Sequence, residues 1–306
     1  MLGFTDQVVV VTGAGRGLGR LYAVELARRG AAVVVNDVGG TMGGEGSDPV
    51  VADLVVAEIE AARGTAAASY DSVATPEGGR AIVARARERF GRLDAVVSNA
   101  GIFQTRPFEE LTPEDWRRMI DVHLHGGFHV AQPAFTAMRE QGYGRFVFVA
   151  SSAGLFGQPH SAHYAAAKAG LVGLANVIAI EGAEHGILAN TILPFGTTRM
   201  VTETVGDIGE SGFLRAIEPG LVVPLVVYLA SRACAVTHHN YSACAGRFAR
   251  AFVGLAEGWP APPGTVPTAE DIAAHWDALS ATDPYTVPTS IFDEVAEVCR
   301  QLGISA

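Results

Sequence analysis

The sequence predicts an α/β fold: a doubly wound parallel sheet in a single domain over residues 1–306. The core is expected over residues 1–235, with a helical C-terminal extension over 236–306 packed on it. Three observations carry this prediction. Short runs rich in β-branched residues alternate with helical patterns for most of the chain. The runs are apolar at nearly every position, as in strands covered by helices on both faces. A chain of 306 residues with 49% hydrophobic and 18% charged residues is large and apolar enough for one sizeable core.

The elements follow in order. The first strand spans 8–12, where four valines run into Thr12, and a glycine-rich turn leads to a helix over 18–29. Strand 32–37 ends on Asp37 and is followed by a helix over 49–62. Strand 66–70 and helix 77–90 make the next unit, then strand 94–99 and a long helix over 113–140. Strand 145–150, helix 162–185 and strand 188–193 complete the series. Repeated βα units in one chain imply a parallel sheet with right-handed crossovers, and ligands bind such sheets beyond the carboxyl ends of the strands. The rhythm stops near residue 235, and a Pro-rich connection follows at Trp259–Gly264. A helix is expected to open at Thr268, an N-cap with Glu270 and Asp271 in its first turn, and another over 290–302.

Composition excludes several classes of function. The net charge of −10, without any basic run, argues against a nucleic-acid partner. The arginine pairs Arg28–Arg29 and Arg117–Arg118 read as solvated helix faces. Cys234, Cys244 and Cys299 lack metal-ligand spacing and form an odd set, which points to a reducing compartment. His125, His129, His238 and His239 show no paired carboxylate pattern, so no metal is expected. A strand begins almost at once, leaving no room for a signal peptide, and apolar stretches read as broken before membrane-spanning length. The expectation is a cytoplasmic protein without a membrane partner.

The turn Thr12-Gly13-Ala14-Gly15-Arg16-Gly17-Leu18-Gly19 lies between a buried strand and a helix. Glycines there let backbone N–H groups approach a pyrophosphate, with the helix N-terminus facing it. Gly13, Arg16, Gly17, Leu18 and Gly19 are therefore candidate cofactor contacts in a Rossmann-type site. Asp37 closes the second strand at the separation expected for an acid that bonds the adenosine ribose. A carboxylate there repels a 2′-phosphate, which favours NAD over NADP. Arg16 pulls the other way, since a guanidinium could meet that phosphate.

The chain has one lysine, Lys168, beside twenty-one arginines, and it stands four residues after Tyr164. A lone exception marks a position where a compact, rotatable charge is needed rather than a planar fork. Residues i and i+4 share a helix face. A nearby cation favours phenolate, so Lys168 is expected to lower the pKa of Tyr164 and fit it for general acid/base work.

With these residues in place, the chain resembles the short-chain dehydrogenases/reductases. The likeness rests on the Thr12–Gly19 turn, Ser98-Asn99-Ala100-Gly101 after the fourth strand, Ser151, and Tyr164 with Lys168. It narrows to the dehydrogenase portion of peroxisomal multifunctional enzymes of type 2, through Asn36-Asp37-Val38-Gly39-Gly40, Asp115-Trp116, Val122-His123-Leu124 and a tail containing Arg247, Trp276 and Ser290. The resemblance implies an NAD-dependent enzyme that moves a hydride between nicotinamide and a secondary alcohol or ketone, with a (3R)-3-hydroxyacyl-CoA thioester as the first substrate. A steroid or other free alcohol is the alternative within the fold, and a non-catalytic dinucleotide-binding sensor or scaffold is the alternative of another class.

The same resemblance implies roles. Tyr164 exchanges the hydroxyl proton, Lys168 tunes Tyr164 and holds the nicotinamide ribose, and Ser151 holds the substrate oxygen, with Ser152 a backbone-capping neighbour. Asn99, Ala100 and Gly101 line the cofactor, Asp71 and Ser72 the adenine, and Pro194 and Thr198 the nicotinamide amide. Most family members carry asparagine where this chain has His123, which serves either a proton relay or a backbone contact. Arg247 and Arg250 could meet CoA phosphates, though a surface role is the more ordinary reading. A loop over 195–217 is expected to cover the substrate. A homodimer or homotetramer packed through the long helices is also implied.

Overall fold

The structure, a computed structural model, describes residues 2–197, 212–262 and 264–304. The chain divides into two compact units, Met1–Arg250 and Ala251–Ala306. Among the described residues, the first unit is built on an eight-stranded sheet. Its strands are β1 (Val8–Thr12), β2 (Ala32–Asn36), β3 (Thr65–Ser69), β4 (Ala95–Ser98), β5 (Gly144–Val149), β6 (Ile187–Pro194), β7 (His239–Cys244) and β8 (Arg247–Ala251). Their spatial order is β3-β2-β1-β4-β5-β6-β7-β8, with parallel pairing from β3 through to β7. Val9 of β1 pairs with Val33 on one side and Ala95 on the other. The chain winds outward from β1 to β3 and then crosses to β4, so the crevice opens at the carboxyl ends of β1 and β4.

The continuous apolar strands serve two cores because side chains alternate between faces. Val9, Val11, Val33, Val35, Val97 and Val147 bury one face. It is covered by α1 (Gly17–Arg28), α2 (Val50–Ala61) and a later helix, Val223–Ala230. Val8, Val10, Val34, Val96, Phe146 and Phe148 bury the other. That face is covered by α3 (Pro76–Phe90), α5 (Gly126–Gln141) and α7 (Ala162–Gly182), named here with α4 (Pro113–Ile120) and α6 (Ser152–Phe156) in chain order. Gly212–Ala216 is α8 and Val223–Ala230 is α9.

Three sequence expectations change. The helix expected over 113–140 is α4 and α5 joined by a π-helical turn, Asp121–His125. The sheet does not stop near residue 235: β7 pairs with β6, and a turn with φ of +50° at Ala245 and +78° at Gly246 returns the chain as β8. Positive φ at both positions is the geometry of a tight hairpin. Finally, Ala162–His185 is 24 residues long, long and apolar enough to cross a membrane by length and composition. Here Leu171, Ala175 and Ile178 of that segment pack in the core against the sheet.

In the second unit, β9 (Leu255–Ala256) pairs antiparallel with β10 (Tyr285–Thr286). Helices α10 (Ala269–Ala274), α11 (Trp276–Ser280) and α12 (Ile291–Leu302) follow the two expected helix starts. Thr268 and Asp271 form a capping box at the first of these. At α12, Asp293 accepts from the N–H groups of Thr289 and Ser290 at 2.7 and 3.2 Å.

Candidate active site

The crevice is a cavity of about 920 Å³. Its floor is the turn after β1. Gly13 has φ of +63°, and a Cβ there would lie 2.7 Å from the Ala100 Cα. A Cβ on Gly19 would lie 2.1 Å from the Gly13 carbonyl oxygen. Only glycine lets the turn fold this closely against α1 and β4. Asn99 latches it from β4, donating to the carbonyls of Thr12 and Gly13 at 3.0 and 3.1 Å. Helix α1 opens without a side-chain cap and without an acid in its first turn. Its N–H groups are thus free to receive an anion.

Asp37 stands at the end of β2, where both carboxylate oxygens are engaged. Oδ2 accepts from the Gly15 N–H at 2.8 Å and Oδ1 from the Gly39 N–H at 2.7 Å. Arg16 does not stand free beside it, because its Nη1 donates to the Gly40 carbonyl at 2.9 Å. Asp71 and Ser72, after β3, line the same cavity, as do Gly17, Leu18, Asn99, Ala100, Gly101 and Pro194. Thr198 and most of the loop expected over 195–217 lie outside the described residues. Phe195, Gly196, Phe213 and Ile217 of that loop line the cavity.

Ser151, Tyr164 and Lys168 meet at the inner end. Tyr164 and Lys168 share a buried face of α7, one turn apart, with the Lys168 Nζ 5.6 Å from the Tyr164 ring centroid. Lys168 donates to the Val149 carbonyl at 2.5 Å. Ser151 follows β5 and is the N-cap of α6, its Oγ accepting from the Ala153 N–H at 3.2 Å. The capping role expected of Ser152 therefore belongs to Ser151. Ser151 also stands beside Tyr164 as the hydrogen-bonding group that favours its phenolate.

The ionisation of this pair differs from the sequence expectation. Burial raises the pKa of Tyr164 above its ordinary value, and the Ser151 bond opposes that rise. Burial also lowers Lys168, to about 7. Desolvation disfavours both charged forms, so it outweighs the attraction of the ammonium for a phenolate.

His123 lies in the π-helical turn, buried, with its ring edge-on to Tyr164 at 5.2 Å between centroids. Phe103 flanks the same tyrosine at 5.0 Å. The His123 Nε2 sits 2.7 Å from the Ile102 carbonyl oxygen, so the backbone contact is present, and Nδ1 is buried without a partner. Burial, with Lys168 nearby, holds its pKa well below the ordinary value, and the imidazole is neutral.

Two parts of the cavity wall were not legible in the sequence. The connection between β2 and α2 crosses to the segment after β4, where the Met42 carbonyl accepts from the Phe103 N–H at 3.0 Å. Met42 packs with Ile102, Phe103, Met119 and Tyr164. The density of glycines after Asp37 was the available signal. Arg117 and Arg118, read as a solvated face, also line the cavity. Arg247 and Arg250 are not among its lining residues.

Comparison with known proteins agrees with this geometry. The family model for short chain dehydrogenase matches residues 7–209. The mouse peroxisomal multifunctional enzyme type 2 is 46% identical over 233 residues, 76% of this chain and 31% of that protein. The chain thus spans about a third of that relative. The hydroxyacyl-CoA dehydrogenase ChsB1 of Mycobacterium tuberculosis is 39% identical over 245 residues, 76% of this chain and 74% of that one. The full-length multifunctional enzyme type 2 of Drosophila melanogaster superposes with a TM-score of 0.82 at 32% identity, covering 99% of this chain and 50% of that chain. The residues that a dinucleotide requires are present: an uncapped helix N-terminus, glycines where a Cβ would not fit, and a carboxylate after β2. This chain belongs to the short-chain dehydrogenase/reductase family and is an oxidoreductase that acts on CH–OH groups.

Proposed function

We propose that the chain oxidises (3R)-3-hydroxyacyl-CoA to 3-oxoacyl-CoA with NAD. The observation that carries the chemistry is the meeting of Ser151 with the buried Tyr164 and Lys168 at one end of the dinucleotide cavity. The thioester is supported by the likeness to enzymes whose names include hydroxyacyl-CoA dehydrogenase and peroxisomal multifunctional enzyme type 2.

The glycine turn and α1 would hold the pyrophosphate, and Asp37 the adenosine ribose. NAD held there would supply the acceptor for the hydride of the carbinol carbon. Ser151 positions the substrate oxygen by a hydrogen bond. Tyr164 takes the hydroxyl proton, and the Ser151 bond stabilises the phenolate-like form of Tyr164 against the burial that opposes it. Lys168, held by the Val149 carbonyl, supplies a compact positive charge beside the tyrosine below about pH 7. Phe103 and His123 fix the plane of the Tyr164 ring from two sides. NAD is favoured over NADP because the Asp37 carboxylate repels a 2′-phosphate and Arg16 is occupied by the Gly40 carbonyl.

The test is NADH formation with the (3R)-hydroxyacyl-CoA, its (3S) isomer and a 17β-hydroxysteroid, each with NAD and NADP. Turnover of the (3R) thioester with NAD, and weak turnover elsewhere, is expected. Steroid turnover alone would keep the Ser-Tyr-Lys chemistry and remove the CoA assignment. Dinucleotide binding without turnover of any alcohol would favour a sensor.

A further inference from the structure

We propose that Arg117 and Arg118 form a phosphate-binding station for the nucleotide end of the thioester substrate, an inference that rests on the acyl-CoA reading above. Both residues are on α4 and both line the cavity. Guanidinium suits the task because its planar fork matches two phosphate oxygens at once.

These two arginines combine a place on the cavity wall with the lack of a tight carboxylate partner. Acidic residues outnumber basic ones, 32 to 22. Several other arginines are held by close carboxylates: Arg28 and Arg29 lie 2.7 and 2.6 Å from Glu25, Arg80 lies 2.7 Å from Glu77, and Arg92 lies 2.7 Å from Asp94. Arg117 has Glu114 three residues before it and Asp121 four residues after it, positions from which a helix forms ion pairs. It pairs with neither. Asp121 instead contacts the His125 Nδ1 at 2.9 Å. Among the described residues the Arg117 guanidinium has no hydrogen-bond or ion-pair partner.

Arg118 is held loosely, 3.5 Å from each of Glu45, Glu114 and the Gly43 carbonyl. Charge-assisted bonds close to about 2.7–2.9 Å. Both carboxylates are mostly exposed, at 75% and 77%. A phosphate can engage this guanidinium without displacing a tight pair.

The wall leading to the station has the polarity that a CoA thioester requires. Tyr164 abuts Phe103 at 5.0 Å, the Phe103 N–H bonds the Met42 carbonyl, and the next residue, Gly43, touches Arg118. An acyl thioester at Tyr164 would lay its pantetheine arm along Phe103 and Met42 and bring its phosphates to the arginines. The phosphates of the dinucleotide have a separate seat, at the N-terminus of α1.

The experiment compares kcat/KM for a (3R)-hydroxyacyl-CoA with that for the same acyl group on N-acetylcysteamine, which lacks all the phosphates. It uses the full chain and the variants Arg117→Ala, Arg117→Glu and Arg118→Ala, and the KM for NAD is measured for each. The wild-type ratio should favour CoA. It should fall by about tenfold or more in Arg117→Glu, chiefly through KM, as expected for loss of a charge-assisted bond. The KM for the CoA ester should rise with ionic strength in the wild type and less in the variants. An unchanged ratio, or an equal loss on both esters, would overturn the station while leaving the acyl-CoA reading in place. A rise in the KM for NAD without a change in the ratio would also overturn it, assigning the arginines to the cofactor. A wild type that ignores CoA, with a ratio near one or no thioester turnover, would overturn the acyl-CoA reading and the station with it.

Discussion

The Lys168 ammonium donates to the Val149 carbonyl at 2.5 Å, joining the middle of α7 to the last residue of β5, two positions before Ser151. Lys168 is 3% exposed, and burial lowers its pKa to about 7. Between that value and the ordinary lysine range, the unfolded chain binds a proton that the native chain does not. Stability therefore rises with pH across this window, and the cost of burying the charge is full below about pH 7.

Lys168→Met removes that cost together with the charge. At pH 6 its Tm should exceed the wild-type value by about 2 °C or more, with the difference shrinking toward pH 10. Its kcat should fall by roughly 10²–10⁴. Thermal melts at the two pH values check the first effect and steady-state turnover the second. A lower Tm at pH 6 would show that the Val149 bond outweighs the desolvation.

Tyr164 ionises above the ordinary tyrosine range because it is buried. Alcohol oxidation needs its proton-accepting form, so kcat/KM in that direction should climb with pH throughout the measurable alkaline range. Carbonyl reduction needs the proton, and it should be flat near neutrality and decline only where oxidation gains. Ser151→Ala removes the bond that favours the phenolate, so its oxidation rate should fall and its profile should move to higher pH. Tyr164→Phe should lose roughly 10²–10⁴ in kcat in both directions. A Ser151→Ala profile displaced to lower pH would remove the proposed role of that bond.

The parts of this molecule that were legible from its sequence are those where chemistry and local pattern coincide. The strands from β1 to β6 read correctly because burial on both faces demands apolar residues at every position. Tyr164 and Lys168 read as a pair because helical spacing alone places them together. Strand β7 did not, since His-Asn-Tyr-Ser-Ala-Cys holds to β6 partly through polar contacts such as Thr191 to Asn240 at 2.7 Å. The π-helical turn at Asp121–His125 has no residue that breaks an α-helical pattern. Arg117 and Arg118 looked like any solvated pair, because only the folded connection after β2 makes their face a cavity wall. The direction of the Tyr164 shift was misjudged for a related reason: spacing reveals the neighbouring charge but not the depth of burial.

Asp37 accepts from Gly15 and Gly39 through separate oxygens, so it shapes the turn as well as facing the ribose. Asp37→Ser should narrow the preference for NAD over NADP by about tenfold or more, by removing a repulsive charge from the 2′-phosphate. It should also raise the KM for NAD, because the turn loses two fixed bonds. Adding Arg16→Ala should reverse part of the NADP gain only if Arg16 leaves the Gly40 carbonyl once Asp37 is gone. The ratio of kcat/KM for the two cofactors in the wild type and the two variants measures this. An unaltered ratio in Asp37→Ser would remove the basis for assigning NAD.

A Cβ on Gly101 would lie 2.4 Å from the His123 Cε1, 3.1 Å from Nδ1 and 3.3 Å from Nε2. Gly101 is needed for space, since its φ is not among the positive ones. In Gly101→Ala the imidazole must move, and both ways out are costly: one breaks the 2.7 Å contact with the Ile102 carbonyl, and the other presses on Tyr164. The variant should lose about 1–3 kcal/mol of stability, as overpacked cores do, and kcat should fall with it. His123→Ala opens the space, so Gly101→Ala should cost much less in that background. Denaturant unfolding of the two single variants and the double variant gives the coupling, expected at about 0.5–3 kcal/mol for groups in contact. Additive losses would mean that Gly101 is required by something other than the histidine. A strong coupling with kcat still low in the double variant would mean that His123 holds Tyr164 in place for proton transfer, beyond filling the space beside it.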